Sequence, residues 1–170
     1  MRAGARANGA GVVGLDEAVA LVRALQAAGR RVVFTNGVFD LVHPGHVRYL
    51  QAARAEGDAL VVAVNSDRSV RANKGPSRPV IPERERAEIV AALDFVDAAL
   101  LFDEDTPGRV IEAIQPDVLV KGADWAADRI VGRETVEARG GRVVRAELAP
   151  GYSTTEVIAR MKAARQARSD

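Results

Sequence analysis

The chain contains no cysteine. Disulfides, thiolate zinc sites and thiol nucleophiles are therefore excluded. Its 170 residues hold only two histidines, His43 and His46, and lysine occurs only at positions 74, 121 and 162. Arginine and alanine are abundant, so a lysine that persists against that bias marks function better than an arginine does. No apolar run approaches the ~20 residues needed to span a membrane. A net charge of +1 provides no basic field for nucleic acid. Residues 1–14 are small and Gly/Ala-rich, lack the continuous apolar core of a signal peptide, and are expected to form a frayed terminus. The absences point to a cytoplasmic protein whose partners are small molecules, with neither nucleic acid nor membrane among them. Apolar content of 48% and charged content of 28% suit one globular domain with a full core, over residues 15–167.

What is present is concentrated in one stretch, Thr35 to Leu50 (TNGVFDLVHPGHVRYL). It follows an apolar run, Val32-Val33-Phe34, that reads as a buried parallel strand. The chain breaks at Asn36-Gly37, and a helical pattern begins at Pro44, a residue suited to a helix's first turn. His43-Pro44-Gly45-His46 thus stands where a strand hands over to a helix. A helix N-terminus offers free N–H groups and the positive end of a dipole, which favour phosphate. Gly45 admits a ligand close to the backbone. Two imidazoles three residues apart can face one anion.

Strands and helices alternate along the rest. A helix is expected over 16–28, with Val19, Val22 and Leu25 as its apolar stripe, and strands near 31–35, 59–64, 98–102, 118–120 and 142–146. Further helices are expected from Pro44 to Glu56, Glu83 to Leu93 (Ile89, Val90 and Leu93 inward), 106–114 capped by Asp105 or Thr106, 129–139, and after Ser153 to about Ala167 (Val157, Ile158 and Met161 on its apolar face). Ser69 to Pro82 is rich in breakers and reads as a loop and a candidate lid. The pattern predicts an α/β, Rossmann-like open sheet, mostly parallel and five-stranded, with helices on both faces. Ligands of such sheets bind beyond the carboxyl ends of the strands, near the switch in strand order. That rule selects Thr35–His46, Asn65–Asp67, Lys121–Trp125 and Gly151–Thr155. Gly151-Tyr152-Ser153-Thr154-Thr155 precedes the last helix, and its hydroxyls can cap the helix, hold phosphate, or both.

NGVFDLVHPGHVRYL resembles the HxGH signature of the nucleotidyltransferase superfamily that includes the cytidylyltransferases. YSTTEVI is similar to the segment that holds the nucleotide's phosphates in that family, and PERERAEIVAAL to its Glu-x-Arg helix. From about Leu15 to Lys162 the chain looks like the D-glycero-β-D-manno-heptose 1-phosphate adenylyltransferases of ADP-heptose synthesis. FTNGVFDLVHPGH, VAVNSDRSV, RPVIPERER, FDEDTP, PDVLVKGADW and YSTTEVI carry that likeness. In many bacteria this activity is fused to a sugar kinase domain, for which the chain has no room, so the stand-alone form is expected.

The resemblance implies transfer of AMP from ATP, with Mg²⁺ accompanying the triphosphate, to a sugar phosphate, with release of pyrophosphate. It implies His43, His46, Lys74 and Arg86 as catalytic residues. Thr35, Asn36, Gly37, Phe39, Asp40, Gly45, Ser153, Thr154 and Thr155 are implied around the nucleotide, and Asp67, Lys121, Gly122, Asp124 and Trp125 on the acceptor side. No protein metal ligand is expected. A homodimer is expected by analogy with the fold's relatives, with the Phe95-Val96 region as a candidate apolar surface. Glycerol-3-phosphate cytidylyltransferase and a non-catalytic nucleotide sensor are the alternatives. Intact HPGH, Lys74, Arg86 and STT together argue against the sensor.

Overall fold

The structure is a computed structural model that describes residues 11–124, 126, 129–147 and 151–167. Five parallel strands, β1 (Val32–Gly37), β2 (Ala59–Asn65), β3 (Ala98–Phe102), β4 (Val118–Gly122) and β5 (Arg142–Ala146), form one sheet in the order β3-β2-β1-β4-β5. The chain builds outward from β1 to β3, then crosses to β4 on β1's other side. The switch point is therefore the crevice between the ends of β1 and β4.

Alternate strand residues feed two apolar layers, as the two-residue period requires. On one face Phe34, Val61 and Leu100 pack with Ala18 and Val22 of α1 (Leu15–Ala27) and Ile111 and Ile114 of α5 (Gly108–Ile114). Val136 of α6 (Arg133–Glu137) joins the same layer. On the other face Val33, Leu60, Val62 and Val118 pack with Tyr49, Leu50 and Ala53 of α2 (Pro44–Ala55) and Ala87 and Val90 of α4 (Glu83–Ala91). Two further helices complete the described fold, α3 (Asp67–Lys74) and α7 (Thr154–Gln166).

Several expectations change. Residues 11–14 are tied to β3: Val13 N–H donates to the Ala99 carbonyl at 2.8 Å and Ala99 N–H to that of Gly11 at 2.9 Å. Fraying can therefore be asked only of residues 1–10, which lie outside the described part. The segment read as a loop from Ser69 begins as α3, because Ser66 caps it, its hydroxyl accepting from Ser69 N–H at 3.1 Å, and Val70 is buried. The helix after Pro107 starts at Gly108 without a side-chain cap, so neither Asp105 nor Thr106 performs the expected role. Ile89 and Met161 face solvent at 39% and 63% exposure, whereas Val96, expected at the surface, is fully buried. α7 buries no residue at all.

Candidate active site

The cleft at the β1/β4 switch point has a volume of about 380 Å³. Its wall includes Asn36, Gly37, Phe39, His43, Gly45 and His46 from the β1–α2 handover, Lys74 from the end of α3, Gly122 at the end of β4 and Asp124 just beyond it. Ser153, Thr154 and Thr155 come from the start of α7. Segments more than 100 residues apart thus converge where the strand-order rule places them. A second cavity, about 470 Å³, lies at the opposite ends of the strands and is lined by Arg30, Arg139 and Arg142 among others. Those guanidiniums donate to the carbonyls of Asp58, Gln115 and Glu56 respectively, so they serve the fold rather than an anion.

His43 is the N-cap of α2, with Nδ1 3.4 Å from His46 N–H and Pro44 in the first turn. The two imidazoles stack, ring centres 3.8 Å apart, and Phe39 meets His46 edge-on at 5.5 Å. Burial, reinforced by the neighbouring His43, pushes His46 down to about 4. Burial and the Arg160 guanidinium lower His43 as well. Both rings are therefore neutral at pH 7 and each keeps one N–H to donate. His46 Nδ1 is the only buried side-chain polar atom among the described residues without a hydrogen-bond partner. A buried nitrogen of that kind is available to a hydrogen-bonding ligand.

Gly45 fits because nothing larger can. A Cβ there would lie 2.7 Å from Tyr152 Cβ and 3.0 Å from the His43 ring. Tyr152 in turn stacks on His43 at 6.3 Å and lies under Arg48 at 5.2 Å. Thr154 Oγ1 donates to the Asp40 carbonyl at 2.9 Å, and Ser153 caps α7, its hydroxyl accepting from Glu156 N–H at 3.1 Å. The two helix N-termini are thus joined across the cleft, and their free N–H groups give it two anion-favouring ends.

Asp40, at the cleft wall, and Arg86, behind it, support this arrangement. The Asp40 carboxylate is 1% exposed and accepts from Arg78 Nε (2.8 Å), Val80 N–H (2.9 Å) and Ile81 N–H (3.0 Å). Burial pushes the carboxyl up, but the backbone donors of Val80 and Ile81 and the Arg78 guanidinium together hold it below the usual range. On either side of Asp40, Phe39 and Leu41 adopt left-handed backbone, φ 48 and 49. For such residues that conformation costs roughly 1–2 kcal/mol each, and the Asp40 bonds hold it in place.

Arg86, expected on the phosphate chain, is fully buried and absent from the cleft wall. Its guanidinium donates to the carbonyls of Ile81, Val38 and Asn65 and pairs with Asp67 at 2.8 Å. Asp67, expected on the acceptor side, is engaged there too. Thr35 is likewise buried beneath the floor, its hydroxyl bonded to Tyr49 OH (2.8 Å) and the Val120 carbonyl (2.9 Å). The geometry thus makes supports of Arg86, Asp67 and Thr35, because each polar group already has a protein partner. Lys74 lines the cleft as expected, but as the last residue of a helix. Lys121 is 8% exposed and donates to Asn36 Oδ1. Trp125 lies outside the described residues. The reading of the sequence singled out neither Arg78 nor Tyr49, which line the cleft, and Tyr152 lines it within the selected segment Gly151–Thr155. An arginine between two breakers, in Ser77-Arg78-Pro79, was the available signal for the first.

Residues 34–160 match the model of the cytidylyltransferase-like family, which is most of the chain. The chain belongs to the cytidylyltransferase-like family. It is accordingly a nucleotidyltransferase. Among its relatives, the bifunctional protein HldE of Geotalea uraniireducens (strain Rf4) is 56% identical over 148 residues, covering 87% of this chain and 30% of that protein. HldE of Gluconobacter oxydans (strain 621H) is 52% identical, covering 90% and 32%. The chain therefore spans about a third of the length of these curated relatives.

Among solved structures, a lipopolysaccharide core biosynthesis protein of Thermoplasma volcanium GSS1 is 30% identical with a TM-score of 0.59, covering 71% of this chain and 98% of that one. The pantoate-beta-alanine ligase of Francisella tularensis, 13% identical with a TM-score of 0.56 over 80% of this chain and 66% of its own, shares the fold alone. Among the described residues no helix is long and apolar enough to cross a membrane.

Proposed function

We propose that this cytidylyltransferase-like domain transfers AMP from ATP to D-glycero-β-D-manno-heptose 1-phosphate, giving ADP-heptose, a lipopolysaccharide-core precursor, and pyrophosphate. The observation that carries the chemistry is the pair of stacked, neutral histidines at one helix N-terminus, facing a second helix N-terminus across a cleft. The choice of substrates rests on the likeness to the HldE proteins over 87–90% of this chain and to the lipopolysaccharide core protein over 71% of it.

The acceptor's phosphate oxygen is already ionised at neutral pH and needs no general base. It attacks the α-phosphorus in line, and the bond to the bridging oxygen of pyrophosphate breaks. The work left to the protein is positioning and stabilisation of charge on the departing oxygens. His43 and His46 donate to the α-phosphate and the bridging oxygen. Lys74 approaches as a compact cation. Ser153, Thr154 and Thr155, with the free N–H groups of α7, hold the β and γ phosphates. Asp40 and Arg86 keep these groups in register and touch no reacting atom.

Mg²⁺ belongs to this reading as the triphosphate's counter-ion, neutralising charge on its oxygens. Among the described residues no cluster of three His, Cys, Asp or Glu is placed to hold a metal. The ion would be held mainly by phosphate and water. A cytoplasmic homodimer is part of the same proposal.

The test is pyrophosphate release from ATP with the heptose 1-phosphate, measured beside CTP with glycerol 3-phosphate under matched conditions. Faster turnover of the ATP pair is expected. Faster turnover of the CTP pair sinks the substrate assignment and leaves the reaction class standing.

A further inference from the structure

The cleft has a third polar corner besides its two helix N-termini. It lies at the switch point itself, where the end of β1 meets the end of β4. Phe34 is level with Leu119, so two residues further on Asn36 stands beside Lys121. Lys121 Nζ donates to Asn36 Oδ1. An ammonium has only donors, so the carboxamide has no choice of orientation: its oxygen must face Nζ. Its NH₂ group is then directed away from the lysine. Asn36 lines the cleft beside Gly122 and Asp124, and among the described residues no protein acceptor meets that NH₂.

The lysine has an unmet need of its own. It is 8% exposed, and among the described residues its single hydrogen-bond acceptor is the neutral Asn36. The charged groups around it are already placed. Arg145 of β5, level with Lys121, donates to the Ala123 carbonyl. Tyr49 of α2 bonds Thr35 and the Val120 carbonyl. Asp124 lines the cleft without forming an ion pair to the lysine. A buried cation without a counter-charge is costly, and burial accordingly lowers Lys121 to about 8. Such a group gains most from a ligand that brings negative charge.

We propose that Asn36 and Lys121 form one unit that binds the phosphate of the acceptor substrate. Asn36 supplies two N–H donors, and Lys121 is the positioning residue that locks the carboxamide and supplies charge from behind. The inference rests on the proposed reaction, and it moves Asn36 from the nucleotide to the acceptor. The triphosphate's charge is already met by the starts of α2 and α7 and by Lys74. The β4 side of the cleft is what remains for the nucleophilic phosphate. A hydroxyl in that place would satisfy the amide but not the buried ammonium.

Two variants and two readouts test it. Asn36→Asp keeps shape and the contact to Lys121, but exchanges two donors for a carboxylate that repels phosphate. Lys121→Met frees the amide to rotate. With wild-type enzyme held in a non-hydrolysable ATP analogue, calorimetric titration with inorganic phosphate probes the moiety every phosphate acceptor shares. Asn36→Asp is expected to weaken phosphate about 10-fold or more and Lys121→Met about 5-fold, with the analogue's own affinity within about twofold. In turnover, the acceptor KM of the wild type should rise above pH 8 as Lys121 loses its proton, while kcat holds. Lys121→Met should lose that rise.

Phosphate binding within about twofold of wild type in both folded variants overturns the proposal. So does absence of phosphate binding to the analogue-loaded wild type, or a loss that falls on the ATP analogue instead. If wild type binds phosphate through this pair but does not turn over the heptose 1-phosphate, the substrate assignment fails and the phosphate unit stands.

Discussion

The two helix starts that face each other across the cleft are built differently. α2 is embedded: Tyr49, Leu50 and Ala53 are buried against the sheet, and His43 and His46 stack at its first turn. α7 buries no residue along its 13 and meets the body at its first turn, where Thr154 reaches the Asp40 carbonyl. The comparison teaches where rigidity is needed. Groups that meet developing charge at the α-phosphorus gain from being fixed before the substrate arrives, since reorganisation at that moment raises the barrier. Groups that hold the outer phosphates bind much the same charge before and during the reaction, so their contribution is to affinity. An isolated 13-residue helix is marginal in water, which makes its anchoring at the N-terminus the feature to probe.

The largest effect expected from this difference is in stability. Leu50→Ala in α2 should cost about 2–5 kcal/mol, as truncations of buried leucine do, read from denaturant unfolding. A loss below about 1 kcal/mol would mean that the α2 end is not rigidly packed. His46→Ala should lower kcat by roughly 10²–10³ with a smaller change in ATP affinity, measured by single turnover on variant shown to be folded by its melting curve. Equal losses in rate and binding would contradict the division of labour between the two ends.

The pH dependence of stability should sit at the α2 end as well. His46 titrates at about 4 in the fold against 6.5 for the ordinary group. As pH falls, the unfolded chain takes up this proton first, so the His46 share of stability is lost between about 6.5 and 4 and is flat above 7. By pH 5 the His46 share should reach about 1–2 kcal/mol. Melts of wild type and His46→Asn at pH 7 and 5 isolate it, and identical slopes would remove the argument.

At the α7 end the expected effects are smaller. Thr154→Val keeps shape but removes the hydrogen bond to the Asp40 carbonyl. It should raise the KM for ATP about fivefold with kcat within about twofold, the net worth of one such bond being about 1 kcal/mol. A fall in kcat as large as that of His46→Ala would make α7 part of the chemistry. Met161→Ala, on the exposed face, should change stability by no more than about 0.5 kcal/mol. A larger loss in unfolding experiments would show that α7 is packed in solution.

Much of the architecture was legible before any coordinates. Alternating apolar strands and amphipathic helices predicted the parallel α/β sheet, and Pro44 after His43 marked the start of α2. The convergence of Asn36, His46 and Thr154 on one cleft, with Lys121 behind Asn36, followed from the rule about strand ends. What the sequence left hidden shares one cause. Thr35, Asp67 and Arg86 stand in the right segments, but a motif names a residue type and not its partners. The Arg86 guanidinium is aimed at three carbonyls and Asp67, a fact of packing that no spacing reveals. α3 was read as a loop because its polar sequence hides a Ser66 cap and one buried valine.

By itself the sequence determined the order of elements, their apolar faces and the placing of two histidines at a helix start, because these depend on local periodicity and on what proline, glycine and serine permit. Only the tertiary structure decided which polar groups remain free for a ligand. Among the described residues His46 keeps an unpartnered nitrogen and the Asn36 NH₂ meets no acceptor, while Arg86, Asp40 and Thr35 are engaged with the fold. Whether a polar group is free depends on the acceptors and donors that distant strands bring within about 3 Å of it, and that distance exists only once the chain has folded.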